Sequence, residues 1–323
     1  MTDLSAQAPS SRAFGITALR SLRKKEKEQE RKLPLGRQIL LQLICLGIGL
    51  TVMFPILWIF SMSIDPRNLD RPDSLNLIPP GATLDAYFRV LARPTSNDID
   101  FLGLMLNSLK IALFSSALSV GLGVTAAYAF SRLRFRGRES LMILVLGVLM
   151  LPAVATIIPL YVFMNQFKID FAGLSFNLRA SLLGVSLAVI ASLLPFAIWN
   201  LKGYLDTVPR DLEEAGAVDG ATQNQIFLKI VLPLSAPAIA VTAFLGFLAG
   251  WTEFLTAYMF IGGQISDWTL SIALQSMIGQ FARTTQWTEF AAFSILFALP
   301  VSVVFFFFQR YLVGGLAVGG VKG

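Results

Sequence analysis

Histidine is absent from the 323-residue chain, and cysteine occurs once, at Cys45. Without histidine, the commonest metal ligand and the usual general base near neutral pH are missing. A lone cysteine cannot close an internal disulfide. Charge is also scarce. Only 14% of residues are Asp, Glu, Lys or Arg, against roughly 25% in an ordinary soluble domain, too few to cover the surface of a soluble protein of this size. No G-x-x-x-x-G-K followed by Ser or Thr occurs, so the usual phosphate cradle for ATP is missing. No His, Cys or carboxylate cluster suggests a metal site or a catalytic acid pair. Any catalysis would have to rest on carboxylates, lysine or serine, and no cofactor is expected.

Apolar residues are what the chain has in excess: 55% of the total, with a mean hydropathy of +0.67. They come in runs of about 20 residues, the length that crosses a bilayer as a helix. Six spans are predicted, at 39–63, 105–130, 141–165, 180–201, 237–261 and 290–312. Eighteen Lys and Arg fall on one side of this arrangement and seven on the other, with Lys110 inside a span. The excess predicts that both termini are cytoplasmic. The same placement explains the net charge of +6 as an orientation signal, so no nucleic-acid partner is expected.

Residues 1–38 form a basic tail containing "RSLRKKEKEQERK". Its charged run is too long for a signal peptide and no small-residue cleavage site follows. Contact with anionic membrane lipid and a plain solvated arm both fit it. The outer loop 64–103 carries "NLIPPGATLDAYFRVL". Pro79 and Pro80 predict an extended path there, with Thr83 or Asp85 capping a short helix through Tyr87 and Val90.

One polar stretch interrupts the apolar runs: "EEAGAVDGATQNQIFLKIVLP", residues 213–233. Pro209 suits the first turn of a helix, and Asp211, Glu213 and Glu214 suit its positive end. Ala215, Gly216 and Ala217 give a nearly bare surface. Gly220 ends or bends this helix, and Asp219 or Thr222 can cap a second, whose Ile226, Phe227, Ile230 and Leu232 form an apolar stripe. Docking into a groove of a soluble partner and an ordinary interfacial linker fit this pattern equally.

The stretch resembles the EAA loop of ATP-binding-cassette importer permeases, in which Glu-Ala-Ala, two residues and Asp-Gly-Ala lead into a helix closing in Leu-Pro. Glu214, Ala215 and Gly216 occupy the first group, and Asp219, Gly220 and Ala221 the second; Leu232 and Pro233 close it. Gly216 departs from the usual alanine. The similarity extends over about residues 35–323, through "LMLNSLKIAL", "GWTEFLTAYMF" and the ending "FQRYLVGGLAVGGVKG". These are similar to the carbohydrate-uptake group, on the side of the shorter six-span permease of the maltose transporter.

The resemblance implies an all-α integral membrane protein with the type I importer permease fold. A permease domain would cover 39–315, with its coupling loop at 203–235, and a cytoplasmic tail 316–323. It implies a bacterial inner-membrane permease for a di- or oligosaccharide such as maltose, maltodextrin or trehalose. The implied partners are a second permease, two cytoplasmic ATPases and an extracytoplasmic sugar-binding protein. The ATPase-coupling residues would be Glu214 to Gly216 and Asp219 to Ala221. The tail residues Gly319, Gly320, Val321, Lys322 and Gly323 match an ending that reaches between the ATPases; a frayed terminus is the other reading.

Inside the spans, Glu253 is the one deep carboxylate, either lining a path or satisfied structurally. Trp251, Asn107 and Asn200 are weaker path candidates. An ion-coupled secondary transporter acting without an ATPase is the competing reading, though it would bring internal repeats and several intramembrane ionisable groups.

Overall fold

The computed structural model describes residues 35–69, 76–171, 174–278 and 285–319. The chain falls into two compact units, one up to Leu57 and one from Trp58 onward. All of the first unit's described part lies in the apolar helix α1 (Leu35–Ser63), which carries Pro55 and continues past the boundary. The basic tail before it lies outside the described residues.

The second unit is a helical bundle. In the loop 64–103, Pro79 and Pro80 do not run extended as expected. Ala82 N–H closes a turn onto Pro79 O, and Gly81 supplies the positive φ of +75° that a type II turn requires. The short helix α2 (Asp85–Ala92) follows, with Leu84 rather than Thr83 or Asp85 in the capping place. Arg89 of α2 pairs with Glu289 at 2.6 Å.

The bundle centre is α3 (Phe101–Arg132), α6 (Leu182–Leu205) and α9 (Ala236–Thr252). Asp100 caps α3 by accepting from Gly103 N–H, and Ser181 caps α6 by accepting from Gly184 N–H. The buried face of α3 is a stripe of small residues, among them Ala112, Ser115, Ser116 and Gly123. Small residues let helix backbones approach in a membrane, where no hydrophobic drive brings helices together. A Cβ on Gly250 of α9 would lie 2.8 Å from Ala112 Cα, and one on Gly246 would lie 3.2 Å from Ser116 Cα. Ser116 Oγ donates to Ala243 O across the same seam at 2.7 Å.

Two expected spans are broken. The run 141–165 forms α4 (Arg138–Leu149) and α5 (Ala153–Met164), bent by 105°. Pro152 stands at the break, where it lacks the N–H to continue the ladder and disfavours helix in the residue before it. The run 237–261 forms α9 and the short α10 (Leu255–Ile261), parted at Glu253. A two-stranded hairpin, β1 (Lys168–Phe171) with β2 (Leu174–Asn177), qualifies the all-α expectation. After α10 come α11 (Leu270–Ser276) and the long α12 (Trp287–Gly319). Among the described residues four helices are long and apolar enough to cross a membrane; the number reaches six if α4 with α5, and Gln223–Leu234 with α9 across a 74° bend, each count as one span.

Candidate functional site

Between α6 and α9 the chain makes an elbow of two short helices, α7 (Asp211–Val218) and α8 (Gln223–Leu234). Its corner is set by sequence. Gly220 sits in the left-handed region at φ +83°, which glycine adopts without strain. Gly220 N–H donates to Ala217 O and Ala221 N–H to Gly216 O, the paired closure of a Schellman turn. Thr222, not Asp219, opens α8. Its hydroxyl accepts from Gln225 N–H, while Gln225 Oε1 accepts from Thr222 N–H. This reciprocal box satisfies two helix-end donors.

The acids of α7 lie in its first turn as expected, but the helix starts after Arg210, leaving Pro209 just outside it. α8 contains a π-helical turn at Phe227–Val231 directly before Pro233. Pro233 has no N–H to donate four residues back, and the widened turn accommodates it.

The expected apolar stripe of α8 lies on the ends of α3 and α6. Ile226 and Val231 are buried with Tyr128, Leu201 and Leu205, and Phe227 and Ile230 pack against them. Phe227 meets Tyr128 at 4.8 Å between ring centroids, and Gln223 donates to the Tyr128 hydroxyl.

Of the three small residues of α7, only Ala215 and Ala217 face outward. Gly216 is buried, and a Cβ there would stand 2.6 Å from Ile230 Cδ1. Glycine at this place therefore reflects how α7 seats on its own α8. The outward face presents Asp211, Leu212, Glu214, Ala215, Ala217 and Val218, the last 88% exposed. Asp219 and Gly220 are exposed at the corner, and Ala221 packs inward.

A polar network ties this elbow to the spans. Arg132, the last residue of α3, donates through Nε to Glu213 Oε1 at 2.5 Å, and the two side chains are 6% and 12% exposed. Arg132 also donates to Val208 O and to Ser131 Oγ. Ser131 in turn donates to Asp206 Oδ1, and Lys202 donates to Asp206 Oδ2. Burial raises the Asp206 carboxyl, but the bonds from Lys202 and Ser131, with the charges of Lys202 and Arg132, outweigh it and hold it below the ordinary carboxylate value. Sequence reading treated Arg132 only as an orientation charge and Glu213 only as a helix-dipole residue. Their 81-residue separation left no local signal for the pair.

The in-span candidates have defined contacts. Trp251 is fully buried in this chain, stacked on Phe247 and donating Nε1–H to Phe297 O. Asn107 donates to Ser266 O and Trp268 O, and Asn200 to Thr242 Oγ1. Glu253 occupies the break between α9 and α10 in extended backbone; its Oε1 accepts from Thr256 N–H and its carbonyl from Ser271 Oγ. α12 continues as helix through Gly319, so the first half of the tail 316–323 is helical. Gly320 to Gly323 lie outside the described residues. Among the described residues no group of His, Cys, Asp and Glu could hold a metal ion.

The bundle of apolar, partly broken spans carries an exposed elbow of two short helices, and comparison with known proteins gives its class, the permease component of a membrane transporter. The family described as binding-protein-dependent transport system inner membrane component matches residues 119–318, and the chain belongs to it. It is 34% identical over 280 residues to the maltose/maltodextrin transport system permease protein MalG of Vibrio vulnificus (strain YJ016), covering 84% of this chain and 91% of that protein. To the protein of the same description from Escherichia coli (strain K12) it is 34% identical over 298 residues, covering 89% and 97%. A solved bacterial ABC transporter involved in the import of the acidic polysaccharide alginate contains a chain with the same fold, at TM-score 0.68 and 23% identity, with 87% and 99% covered. The chain is thus a non-catalytic inner-membrane permease subunit with the type I importer fold, and the ion-coupled alternative has no support.

Proposed function

We propose that this chain forms, with a second permease, the translocation path of an ATP-driven importer of a di- or oligosaccharide of the maltose, maltodextrin or trehalose kind. Two cytoplasmic ATPases power it and an extracytoplasmic sugar-binding protein delivers the cargo. The sugar assignment rests on relatives described as maltose/maltodextrin permeases. Both termini are cytoplasmic, as the Lys and Arg balance supports. The domain division is a tail over 1–38, a permease domain over 39–315 and a tail over 316–323.

The observation that carries this reading is the outward face of α7, bare and acidic yet presenting an apolar Val218, on an elbow bolted to the ends of α3 and α6. Such a face suits a socket on a soluble partner. Glu214, Ala215, Asp219 and Gly220 form the docking corner, while Gly216 and Ala221 seat it from behind. ATP closes the ATPase pair, the seated elbow is carried along, and the spans attached to it reorient toward the binding protein; hydrolysis reverses this. Gly319 to Gly323 make a second ATPase contact. Glu253, at a helix break, is our first candidate for the path, with Trp251 and Asn107 as the weaker candidates; their side chains bond to Phe297 O and to Ser266 O and Trp268 O.

The test is a cysteine at Val218 in a Cys45→Ser background, followed by thiol cross-linking in native membranes. A cross-link to a cassette ATPase, with a second permease in the same purified complex, supports the reading. A chain that purifies alone and moves solute without ATP overturns it.

A further inference from the structure

Beside the elbow lies a cavity of about 850 Å³, bounded by the loop after α3, the start of α4 and Lys202 near the end of α6. Three arginines line it, Arg134, Arg136 and Arg138, with Lys202 as a fourth cation. Among the described residues, none of the three arginines is paired with a carboxylate. Glu139 is the one acid on the lining. α4 begins here without a side-chain cap, its capping place taken by Gly137 at φ +83°. Its first N–H groups and positive dipole end therefore add to the field of the arginines. Three arginines without a carboxylate partner among the described residues, a lysine shared with Asp206, an uncapped helix start and one acid make a site for an anion.

The rest of the surroundings distinguish among anions. The lining also includes Met142 and Ile143, and α4 continues away from the cavity with Ile143 and Leu144 exposed at 70% and 63%. A free phosphate has no use for such a surface, whereas an acyl chain does. We infer that this cavity binds the headgroup phosphate of an anionic phospholipid from the leaflet on the elbow's side, with an acyl chain laid along α4. The cavity adjoins the coupling network directly, because Lys202 lines it and also holds Asp206 at 2.6 Å. A headgroup drawing on Lys202 competes with Asp206, so lipid occupancy reaches the residues that anchor the elbow. The binding site itself does not depend on the sugar or ATPase assignment.

The experiment uses the transporter extracted from its native membrane and exchanged into micelles containing phosphatidylglycerol or phosphatidylcholine alone or mixed. Retained lipid is quantified by mass. Phosphatidylglycerol should be retained selectively, and each Arg→Gln change at 134, 136 or 138 should weaken retention about fivefold, the loss expected for one basic residue at an anionic surface. Lys168→Gln, elsewhere on the chain, should change nothing. Unchanged selectivity in the triple variant overturns the inference. So does displacement of the lipid by inorganic phosphate as readily as by short-chain phosphatidylglycerol, which would mark a free-anion site. If the triple variant fails to fold, a photoreactive phosphatidylglycerol on the unaltered protein decides. Cross-links within 130–143 support the site; cross-links confined to other segments, or blocked there by a partner chain, overturn it.

Discussion

Arg132 and Glu213 stand 2.5 Å apart, nearly sealed from solvent, at the joint between α3 and α7. The guanidinium also donates through Nη1 to Ser131 Oγ and through Nη2 to Val208 O, so the buried cation is both paired and hydrogen-bonded. Removing one partner of such a pair leaves the other charge buried alone. That typically costs about 3–5 kcal/mol, whereas the intact pair contributes much less net stability. The pair's value here lies in fixing the angle at which α7 leaves the bundle.

Glu213→Ala and Arg132→Ala should therefore each lower the thermal unfolding midpoint of the purified transporter strongly, and the double change should cost less than the two single losses combined. Arg132→Lys should recover the charge but not the contacts to Val208 O and Ser131, and should behave closer to the alanine variant. Additive losses in the double variant would show that the two side chains do not act as a unit.

Gly220→Ala should destabilise the elbow by about 1–2 kcal/mol, because its φ of +83° is left-handed and a Cβ is penalised there. Asparagine should be milder. Limited proteolysis across residues 211–234, compared with unaltered protein, reads the effect; equal protection of Gly220→Ala would contradict it.

Gly216→Ala should be close to neutral. The new methyl requires only the tip of Ile230 to move, and alanine gains about 1 kcal/mol of helix propensity over glycine. Gly216→Val adds bulk that Ile230 cannot clear. A large loss from alanine in a thermal melt would mean Ile230 is locked, and Ile230→Val in the same chain should then relieve it.

Gly250→Ala should be far more damaging than Gly216→Ala, since its Cβ would meet the backbone of Ala112 at 2.8 Å. Backbone cannot step aside, so α9 must move off α3, an overpacking cost of about 1–3 kcal/mol. Unchanged detergent stability would mean that the seam is looser than its geometry indicates.

Asp206 gives the joint a pH dependence. Its folded-state carboxyl titrates below its unfolded value. Its contribution is thus present above the unfolded value and lost as pH falls through the lower, folded one. Asp65 behaves alike at the outer loop, held low first by the hydrogen bond from Arg67, with burial opposing. Asp206→Asn should flatten the acid limb of a stability–pH curve relative to unaltered protein. An unchanged limb would assign that acid sensitivity to other groups.

The spans and the elbow were legible because their signals are local: apolar runs of fixed length, Gly220 at a helix end, and Thr222 three places before Gln225. The breaks were not. "GWTEFLTAYMF" is apolar enough to read as one helix, and only Ser271, 18 residues on, shows that the Glu253 carbonyl has left the ladder. The role of Gly216 was misread because its neighbour Ile230 lies across the elbow. The network around Arg132 joins residues about 80 positions apart, and the residue types alone do not select those pairings.

The glycine seam between α3 and α9 has a consequence for motion. Backbones packed without intervening side chains cannot slide past one another by rotamer changes, so the two helices travel as one strut. Any rocking delivered at the elbow has to be absorbed elsewhere in the bundle. At Pro152 and at Glu253 the helical ladder is already open. Bending there breaks no further rung of the ladder, whereas bending across the Gly246 and Gly250 seam would separate backbones already in contact.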